Sequence, residues 1–348
     1  MSSEDGVGIA DLSADLPILA RAFRLRSASV CRYLTDGWMN RNWEITADRD
    51  RYVLKRILDI SAAMARNIHA ALSFVAERSV PVCVPLRSSA GDTVVEVDGR
   101  AYCLVSWVDG FHRTGCDLSF SAVARLGRLV GEIHQALAQL PCGYGFPPAS
   151  SVVATRANDK EQTVESIKRV ERAIKSLAEP IPYDLLVLSL LRRRLELLDL
   201  HGHLRPSSRA AGPAGWVHGD LNHRNLLFRG ERVVAVLDWD RMRVSTYADE
   251  VVKAGQALFG SEVGVLDLNR IAVFVAAYRS VVAVERAALS DALSRLLWKR
   301  LTDVWPAEFR YLRAEPSERI AGLFPPGELA LEWWISHREE VRRAFSGV

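Results

Sequence analysis

The chain of 348 residues has few cysteines, and they do not form a CxxC pair. An odd number of scattered cysteines is not typical of a disulfide framework or a zinc site, so we expect free thiols in the reducing cytoplasm. The cysteines are Cys31, Cys83, Cys103, Cys116 and Cys142.

Long apolar runs are also lacking. No run approaches the roughly 18 apolar residues that are needed to span a bilayer, and residues 1–15 carry acidic side chains without an apolar core. The sequence therefore predicts neither a transmembrane helix nor a signal peptide, and we expect a soluble cytoplasmic protein without a membrane partner.

Charge of one sign is not in excess. The formal net charge is only +3, which provides no strong basic field, so we do not expect nucleic acid as a partner. Hydrophobic residues make up 49% of the chain and charged residues 25%, which are ordinary globular values. The length is sufficient for about two domains that bury a substantial core.

One segment carries most of the chemical information. It places Asp220 first, Asn225 five residues later and Asp238 after a short predicted hairpin. Phosphoryl transfer from a nucleotide needs a carboxylate at the attacking hydroxyl and oxygen ligands that hold Mg²⁺ against the phosphates. These three residues can supply both, so the segment predicts a kinase.

The predicted hairpin explains why this spacing suits the chemistry. Residues 225–228 and 232–237 have the pattern of two strands joined by a turn. Such a hairpin brings Asp238 back beside Asn225, and two hard oxygen ligands then converge as Mg²⁺ requires. Asp220, one loop away, is free to accept the substrate proton. Each residue alone is more simply a surface polar residue, but the complete set favours a phosphotransfer site.

The segment resembles the catalytic signature of the aminoglycoside phosphotransferase and choline kinase superfamily, small-molecule relatives of the protein kinases. The similarity rests on His-Gly-Asp-Leu at residues 218–221, on Asn225, and on Leu-Asp-Trp at residues 237–239. It extends from about residue 25 to about residue 255.

This resemblance implies a fold and a set of roles. The fold would be α+β and two-lobed like a protein kinase, with a small antiparallel-sheet N-lobe containing one helix and a larger, mostly helical C-lobe. Asp220 would be the catalytic base, Asn225 and Asp238 would be Mg²⁺ ligands, and His218 would be a structural residue that shapes the loop.

The N-terminal third is predicted to form the sheet and its helix. The sequence predicts three strands, at residues 30–34, 43–46 and 51–56. A kinase has a lysine on the third strand that contacts the nucleotide phosphates, and Lys55 occupies that position. The helix predicted over residues 61–77 has no acidic residue in its middle, so the usual glutamate partner of Lys55 is not identified. His69 is a conceivable substitute, although a buried structural histidine is the simpler interpretation.

Further nucleotide contacts are suggested by the superfamily pattern. The loop after the first strand has one glycine, Gly37, so it is not a G-x-G-x-x-G motif. Gly37 and the Asn40-Arg41 pair are similar to the looser form of the superfamily, and we take Gly37 and Asn40 as candidate phosphate contacts. At the implied hinge, backbone groups of Ser106 and Val108 would contact the adenine edge.

The same observations predict two domains. Residues 1–108 would form the N-lobe, the nucleotide-covering sheet and helix, and residues 109–348 the helical C-lobe with the catalytic loop and the acceptor-substrate cleft. Protein kinases follow their metal-binding aspartate with a long activation segment, whereas here an apolar helix begins near Tyr247. There is no room for a peptide-docking platform, so we expect a small-molecule acceptor.

One acidic residue beside the predicted metal site is open to two interpretations. Asp240 is interpreted as forming a salt bridge with Arg241 or Arg243, and the alternative is contact with Mg²⁺ or the acceptor.

Three functions compete. The first is an ATP-dependent phosphotransferase for a hydroxyl of an antibiotic, such as an aminoglycoside or a related amine-bearing natural product, which would act in antibiotic resistance. The second is a metabolic kinase for choline, homoserine or a sugar. The third is a nucleotide-binding pseudokinase, against which the complete set Lys55, Asp220, Asn225 and Asp238 argues. The use of GTP instead of ATP, the acceptor and the oligomeric state stay open.

Overall fold

The N-terminal part of the chain forms an antiparallel sheet of five strands in the order β1-β2-β3-β5-β4. The computed structural model describes residues 12–34, 40–141, 157–313 and 318–347. The five strands are β1 (Ser29–Leu34), β2 (Arg41–Ala47), β3 (Asp50–Ile57), β4 (Val95–Val97) and β5 (Arg100–Ser106). The first three predicted strands are confirmed, with ends that differ by at most about two residues.

The two faces of this sheet have different surroundings, because successive side chains of a strand point to opposite faces. One face belongs to a buried apolar cluster that comprises Leu12, Leu19, Phe23, Trp43, Ile45, Leu54, Val97, Tyr102 and Leu104. Lys55 neighbours Leu54 in β3 and is paired across the strands with Asn42 and Cys103. The lysine therefore stands on the face opposite to this apolar cluster.

Among the described residues, two helices accompany the sheet. Helix α1 (Leu16–Ala22) contributes Leu19 to the apolar cluster. Helix α2 (Ala62–Ala76) begins after Ser61, whose side chain accepts a hydrogen bond from the Met64 amide (3.2 Å) and caps the helix. Ala65 of α2 packs in a cluster with Cys103, so this helix lies on the same face of the sheet as Lys55.

A second group of short strands follows in the middle of the chain. Strands β6 (Ala214–Val217) and β9 (Arg243–Thr246) form one two-stranded sheet, and β7 (Leu226–Arg229) and β8 (Arg232–Val236) form the other. The predicted hairpin is therefore present. Its first strand begins one residue later than predicted, at Leu226, because Asn225 ends a 3-10 turn that begins at His223. The Asn222 side chain caps that turn by accepting a hydrogen bond from the Arg224 amide (2.9 Å).

Most of the remaining described chain is helical. The helices are α3 (Phe120–Ala138), α4 (Lys160–Lys175), α5 (Pro182–His201), α6 (Tyr247–Phe259), α7 (Leu268–Arg279), α8 (Arg286–Thr302), α9 (Trp305–Leu312), α10 (Glu318–Ala321), α11 (Phe324–Ser336) and α12 (Arg338–Ser346). Within the described ranges, no helix combines the length and the apolar character that crossing a membrane requires.

Helix α4 illustrates how the sequence produces these elements. Its apolar residues recur every three or four positions, and Ile167, Val170 and Ile174 are buried. The Asp159 side chain caps its first turn by accepting a hydrogen bond from the Glu161 amide (3.0 Å).

The described residues fall into two units that interleave along the chain. The first unit contains those of Met1–Arg113, Glu132–Ala149 and Trp216–Arg243, and the second contains those of Thr114–Gly131, Ser150–Gly215 and Val244–Val348. The division after residue 108 stays a prediction. For function, the relevant fact is that Lys55 and the segment from Asp220 to Asp240 belong to the same unit.

Within the second unit, a buried ion pair joins distant helices. Arg194 of α5 and Glu328 of α11 are 2% and 4% exposed, and the Arg194 Nε lies 3.1 Å from a Glu328 carboxylate oxygen. Arg194 also donates to the Leu301 carbonyl (2.9 Å) at the end of α8. Burial raises the pKa of the Glu328 carboxyl, and the nearby Arg194 opposes this effect. The Arg194 guanidinium therefore connects helices α5, α8 and α11.

Candidate active site

The loop after β6 is shaped by a buried histidine. His218 is fully buried, and its Nε2 lies 2.9 Å from the Leu237 carbonyl oxygen. The Asp220 amide donates to His218 Nδ1 (3.2 Å), so the neutral ring donates from Nε2 and accepts at Nδ1. The ring also packs on Trp239 with 4.6 Å between centroids. His218 thereby connects the Asp220 loop with the end of the β7–β8 hairpin.

Close backbone approach explains the glycine between His218 and Asp220. Gly219 has φ +89°, and a Cβ atom there would lie 2.0 Å from the Arg241 carbonyl oxygen. Glycine has no Cβ and adopts positive φ without strain. The Arg243 guanidinium also donates to the Gly219 carbonyl (3.0 Å). Any larger side chain at this position would separate the loop from the turn that contains Arg241.

Two asparagine amides hold Asp220. The Asn225 Nδ2 donates to the Asp220 carbonyl oxygen (2.8 Å) and lies 3.4 Å from the Asp220 carboxylate. The Asn222 Nδ2 lies 3.3 Å from the same carboxylate oxygen. The Asp220 carboxylate therefore has a defined orientation, as a group that accepts a proton from a bound hydroxyl would need.

The hairpin brings the backbone next to Asp238 to Asn225, the other predicted metal ligand. The Leu237 amide donates to the Asn225 carbonyl oxygen (2.8 Å), which places Asp238 directly after a residue that is bonded to Asn225. Asp238 has φ +55° and ψ +71°, in the left-handed region, and its side chain is 48% exposed. A non-glycine residue in this region is uncommon and is found more often at functional sites.

Lys55 contacts two carboxylates after the hairpin. Its Nζ lies 2.8 Å from Asp240 Oδ2 and 3.3 Å from Asp238 Oδ1. Burial acts to lower the pKa of Lys55, but the Asp240 and Asp238 carboxylates outweigh it and raise the pKa above its ordinary value. Lys55 is therefore a cation held by the two carboxylates that follow the hairpin.

The expected partner of Asp240 was wrong. Asp240 pairs with Lys55, whereas Arg241 pairs with Asp59 (3.0 Å) and Arg243 donates to a backbone carbonyl. The physical reason is the 3-10 turn at Trp239–Arg241, which separates the directions of Asp240 and Arg241. The same contact identifies the partner of Lys55, which the sequence had left open.

Asn40 reaches the same carboxylate. Its Nδ2 donates to Asp240 Oδ2 (2.8 Å), and its Oδ1 accepts hydrogen bonds from the Leu58 amide (2.9 Å) and the Asp59 amide (3.4 Å). Asn40 is 8% exposed. These bonds hold the turn at Asp240 next to the end of β3, and the predicted phosphate contact of Asn40 stays a prediction.

The other predicted nucleotide contacts remain predictions. Ser106 is the last residue of β5, and Val108 follows two residues later, after the chain has left the sheet. The Trp107 amide between them donates to the Arg51 carbonyl (2.9 Å). Gly37 lies outside the residues that the structure describes.

Helix α2 carries a buried histidine instead of an acidic residue. His69 Nδ1 lies 2.9 Å from Thr93 Oγ1. Burial, together with the positive charge of Lys55, lowers the pKa of His69 to about 4. His69 is therefore neutral at pH 7 and does not supply a negative charge to Lys55.

The face of the sheet that carries Lys55 also holds a charged network that we did not expect. Glu44 of β2 is 6% exposed, and it accepts hydrogen bonds from Arg32 (2.7 Å) and Arg51 (2.8 Å). The Arg51 guanidinium lies 4.1 Å from the centre of the Trp107 ring. The signal that could have located it is strand alternation, because Glu44 and Asn42 share a face and Asn42 is opposite Lys55.

Comparisons with known proteins agree with this architecture. Residues 30–284 match the model of the APH phosphotransferase enzyme family. The chain is also 24% identical over 280 residues to a homoserine kinase of Methylobacillus flagellatus, which covers 78% of this chain and 79% of that protein.

Two solved structures resemble the chain along nearly its whole length. Spectinomycin phosphotransferase APH(9)-Ia, in complex with ADP and spectinomycin, has a TM-score of 0.65 at 11% identity, over 94% of this chain and 98% of that chain. A microcompartment-associated aminopropanol kinase has a TM-score of 0.61 at 19% identity, over 96% and 100% of the two chains. These likenesses confirm the predicted α+β, protein-kinase-like fold.

Proposed function

Because the chain belongs to the APH phosphotransferase enzyme family, we propose that it transfers the γ-phosphoryl group of ATP to a hydroxyl of an amine-bearing small molecule. The family match covers residues 30–284 and confirms the predicted superfamily and the expected class, an enzyme that phosphorylates small molecules. The acceptor and the roles of individual residues are proposals.

One observation carries the proposal. Within one unit, Lys55 contacts Asp238, the residue before Asp238 is bonded to Asn225, and Asn225 is bonded to Asp220. Three contacts thus connect the groups that the proposal needs. Lys55 is the cation for the phosphates, Asp238 and Asn225 offer oxygen ligands for a metal ion, and Asp220 is the carboxylate for the acceptor. Phosphoryl transfer needs little else from a protein.

Each of these groups has a role in the proposal. Asp220 orients the acceptor hydroxyl and accepts its proton, which a carboxylate held by two amides supports. Lys55 donates hydrogen bonds to the α- and β-phosphates of ATP. Adenine lies against the backbone of Ser106 and Val108, and Gly37 and Asn40 belong to the loop over the phosphates.

The residues present fit a divalent cation. The Asn225 amide nitrogen is used in the bond to Asp220, so its oxygen is the atom offered to a metal ion. The Asp238 carboxylate is half-exposed, and the residue before Asp238 is bonded to the Asn225 backbone. Carboxylate and amide oxygens are the ligands that Mg²⁺ prefers, and we propose Asn225 and Asp238 as its ligands. When bound there, Mg²⁺ would supply positive charge that neutralises the phosphates.

The comparisons support an acceptor with both an amine and a hydroxyl. Homoserine, aminopropanol and spectinomycin, the compounds named for the three similar proteins, share these two groups. An antibiotic such as an aminoglycoside is one source of this chemistry, and a role in antibiotic resistance would follow from it. Homoserine is the second candidate, favoured by the similarity to a homoserine kinase over 280 residues.

ADP release from ATP over a panel of acceptors tests the proposal. The panel contains aminoglycosides, spectinomycin, homoserine, aminopropanol, choline and sugars, each with Mg²⁺ and with EDTA. We expect turnover with one amine-bearing class, and no turnover in EDTA. Asp220→Asn should lower kcat by about 10²–10⁴-fold and leave KM for ATP nearly unchanged, because the lost group acts on the reacting proton.

Asp199→Asn is the matched control, since it removes an exposed carboxylate that pairs with Lys160 in the second unit. It should retain the activity of the unmodified enzyme. Full activity of Asp220→Asn, or equal losses in the two variants, would contradict the proposed base. Failure of every amine-bearing acceptor, with turnover of a sugar or of none, would contradict the proposed acceptor class.

A further inference from the structure

We propose that Asp240 is the positioning residue for Lys55, in place of the helix glutamate that orients this lysine in kinases. The inference rests on the proposed function, in which Lys55 contacts the nucleotide phosphates. It assigns a role to the second acidic residue of the Asp-Trp-Asp segment, which the proposed chemistry does not use.

The first step is the lack of an acidic residue on the helix that normally supplies one. Helix α2 reads Ala-Ala-Met-Ala-Arg-Asn-Ile-His-Ala-Ala-Leu-Ser-Phe-Val-Ala, without aspartate or glutamate. His69 on this helix is neutral and bonded to Thr93. In protein kinases the lysine–glutamate ion pair must be in place for activity. This chain needs another carboxylate for that purpose.

The second step is the geometry of Asp240. Its Oδ2 accepts hydrogen bonds from Lys55 Nζ and from Asn40 Nδ2, both at 2.8 Å. The Lys55 and Asp240 side chains are 18% and 12% exposed, so water competes weakly for this pair. A short, shielded and hydrogen-bonded ion pair fixes the direction of the lysine.

The third step is the anchoring of Asp240 itself. Asn40 is bonded to the amides of Leu58 and Asp59, which follow β3, and Arg241 pairs with Asp59 (3.0 Å). The Trp239–Arg241 turn is therefore attached at two points to the connection between β3 and helix α2. Lys55 lies on the strand that leads into this connection, so the carboxylate is held at a constant position relative to the lysine.

A role of Asp240 as a metal ligand fits these contacts less well. The Oδ2 atom already accepts two N–H donors, one of them cationic, and the side chain is largely buried. Asp238, two residues earlier, is half-exposed and has the longer contact to Lys55 (3.3 Å). Two neighbouring carboxylates thus have different roles in the proposal. Asp238 is available to a metal ion, and Asp240 holds Lys55.

A double-mutant cycle on the full-length enzyme tests the inference. The variants are Asp240→Asn, Lys55→Met and both together, and the readouts are kcat and KM for ATP with the acceptor that the wild type uses. We expect Asp240→Asn to lower kcat/KM for ATP by about 10²-fold, since a displaced lysine no longer meets the phosphates. In the Lys55→Met background the same change should cost less than about threefold, because its target is gone.

A binding measurement separates positioning from a general structural role. ATP binding is measured by calorimetry in EDTA, where neither turnover nor a metal ion contributes. Asp240→Asn should raise the Kd for ATP by about tenfold in the Lys55 enzyme and leave it unchanged with Lys55→Met. The Mg²⁺ concentration that gives half-maximal activity should stay the same. Equal losses in both backgrounds, or a raised Mg²⁺ requirement, would overturn the inference.

A second variant keeps the test decisive if Asp240→Asn does not fold. Asn40→Ala removes the neutral anchor and leaves both charges in place, so we expect a smaller loss of about tenfold in kcat/KM for ATP. The loss should be clearly larger in the Lys55 enzyme than with Lys55→Met, where only the proposed contribution of the Asn40 loop to phosphate binding is removed. No loss, or the same loss with Lys55→Met, would overturn the inference. Absence of wild-type turnover and of wild-type ATP binding would instead contradict the proposed function.

Discussion

At the scale of single residues, Asp238 of the proposed metal site has a strained backbone conformation. Asp238 adopts φ +55°, which costs a side-chain-bearing residue about 1 kcal/mol or more, although aspartate tolerates it better than most. Its neighbours hold this conformation, because the Trp239 indole donates to the Val236 carbonyl (3.0 Å) and His218 donates to the Leu237 carbonyl (2.9 Å). These two hydrogen bonds thus fix the backbone from which the Asp238 carboxylate extends.

The Glu44 network gives a prediction for stability at this scale. Glu44→Gln should lower the free energy of unfolding by about 1–2 kcal/mol at pH 7, because the charged hydrogen bonds from Arg32 and Arg51 become neutral ones. Glu96→Gln is the control. Glu96 is 51% exposed and pairs with the exposed Arg66, so its loss should cost less than about 1 kcal/mol. Urea denaturation measures both, and equal costs would contradict the role of burial at Glu44.

The pH dependence of this difference has a definite sign. Burial opposes ionisation of Glu44, but the hydrogen bonds from Arg51 and Arg32 outweigh it and lower the pKa of its carboxyl below 4.5. The stabilisation is therefore complete above pH 4.5 and is lost as the pH falls through the lowered folded-state pKa. The difference between wild type and Glu44→Gln should shrink on acidification from pH 6 to about pH 3. A difference that is constant over this range would contradict the assignment.

At the scale of elements, helix α7 and the part of α3 that belongs to the second unit approach each other closely. A Cβ atom added at Gly127 of α3 would lie 2.3 Å from the Phe274 carbonyl oxygen of α7, and one at Gly131 would lie 2.7 Å from Val281. Glycine is a poor helix former, about 1 kcal/mol worse than alanine. Its presence at two positions four residues apart is explained by the space that the neighbouring segment occupies.

Two glycine-to-alanine substitutions should therefore have opposite effects. Gly127→Ala should lower the free energy of unfolding by about 1–3 kcal/mol, since the clash exceeds the gain in helix propensity. Gly327→Ala in α11 has no atom within 4 Å of the new Cβ and should raise it by about 0.5–1 kcal/mol. Urea denaturation of both variants measures this contrast. Stabilisation by Gly127→Ala would show that α3 and α7 are farther apart than described.

For the molecule as a whole, the stability of the second unit depends on contacts between residues that are far apart in sequence. Arg194 and Glu328 are separated by 134 positions, and Arg194 also donates to the end of α8. Taking two charges out of water is costly, and removal of one partner leaves the other charge buried without compensation. This ion pair thus connects helix α11 to helix α5, and we expect loss of either partner to destabilise the protein.

Replacing one partner of this pair should destabilise the protein strongly. Arg194→Met leaves the Glu328 carboxylate buried without its cation, so we expect a loss of about 3–5 kcal/mol in the free energy of unfolding. Arg193→Met is the matched control, because Arg193 pairs with the exposed Glu332 and should cost less than about 1 kcal/mol. Thermal denaturation followed by circular dichroism compares the two.

A third variant checks the cause of the loss. Adding Glu328→Leu to Arg194→Met removes the unpaired carboxylate and should recover part of the stability. A double variant that is less stable than Arg194→Met would show that other contacts of Glu328 dominate.

The class of protein and several of its local elements follow from the amino-acid sequence alone. The order and spacing of Asp220, Asn225 and Asp238 predicted a kinase, and the resemblance of residues 218–239 to a catalytic signature suggested the superfamily that the family match confirms. Patterns of neighbouring residues also located β1 to β3, the β7–β8 hairpin and helix α2. The loop glycine Gly37 and the hinge contacts at Ser106 and Val108 were predicted from the superfamily pattern and stay predictions.

The pairing of charges that are distant in sequence depends on the tertiary structure. The Lys55–Asp240 contact spans 185 positions, and Asn40–Asp240 spans 200. No local pattern distinguishes Asp240 from a partner of the adjacent Arg241, which is why the sequence interpretation chose the wrong pair. The choice depended on the 3-10 turn after Asp238 and on the anchoring of Asn40 at the end of β3. Side-chain direction and long-range packing set these contacts, and residue type and spacing alone do not specify either.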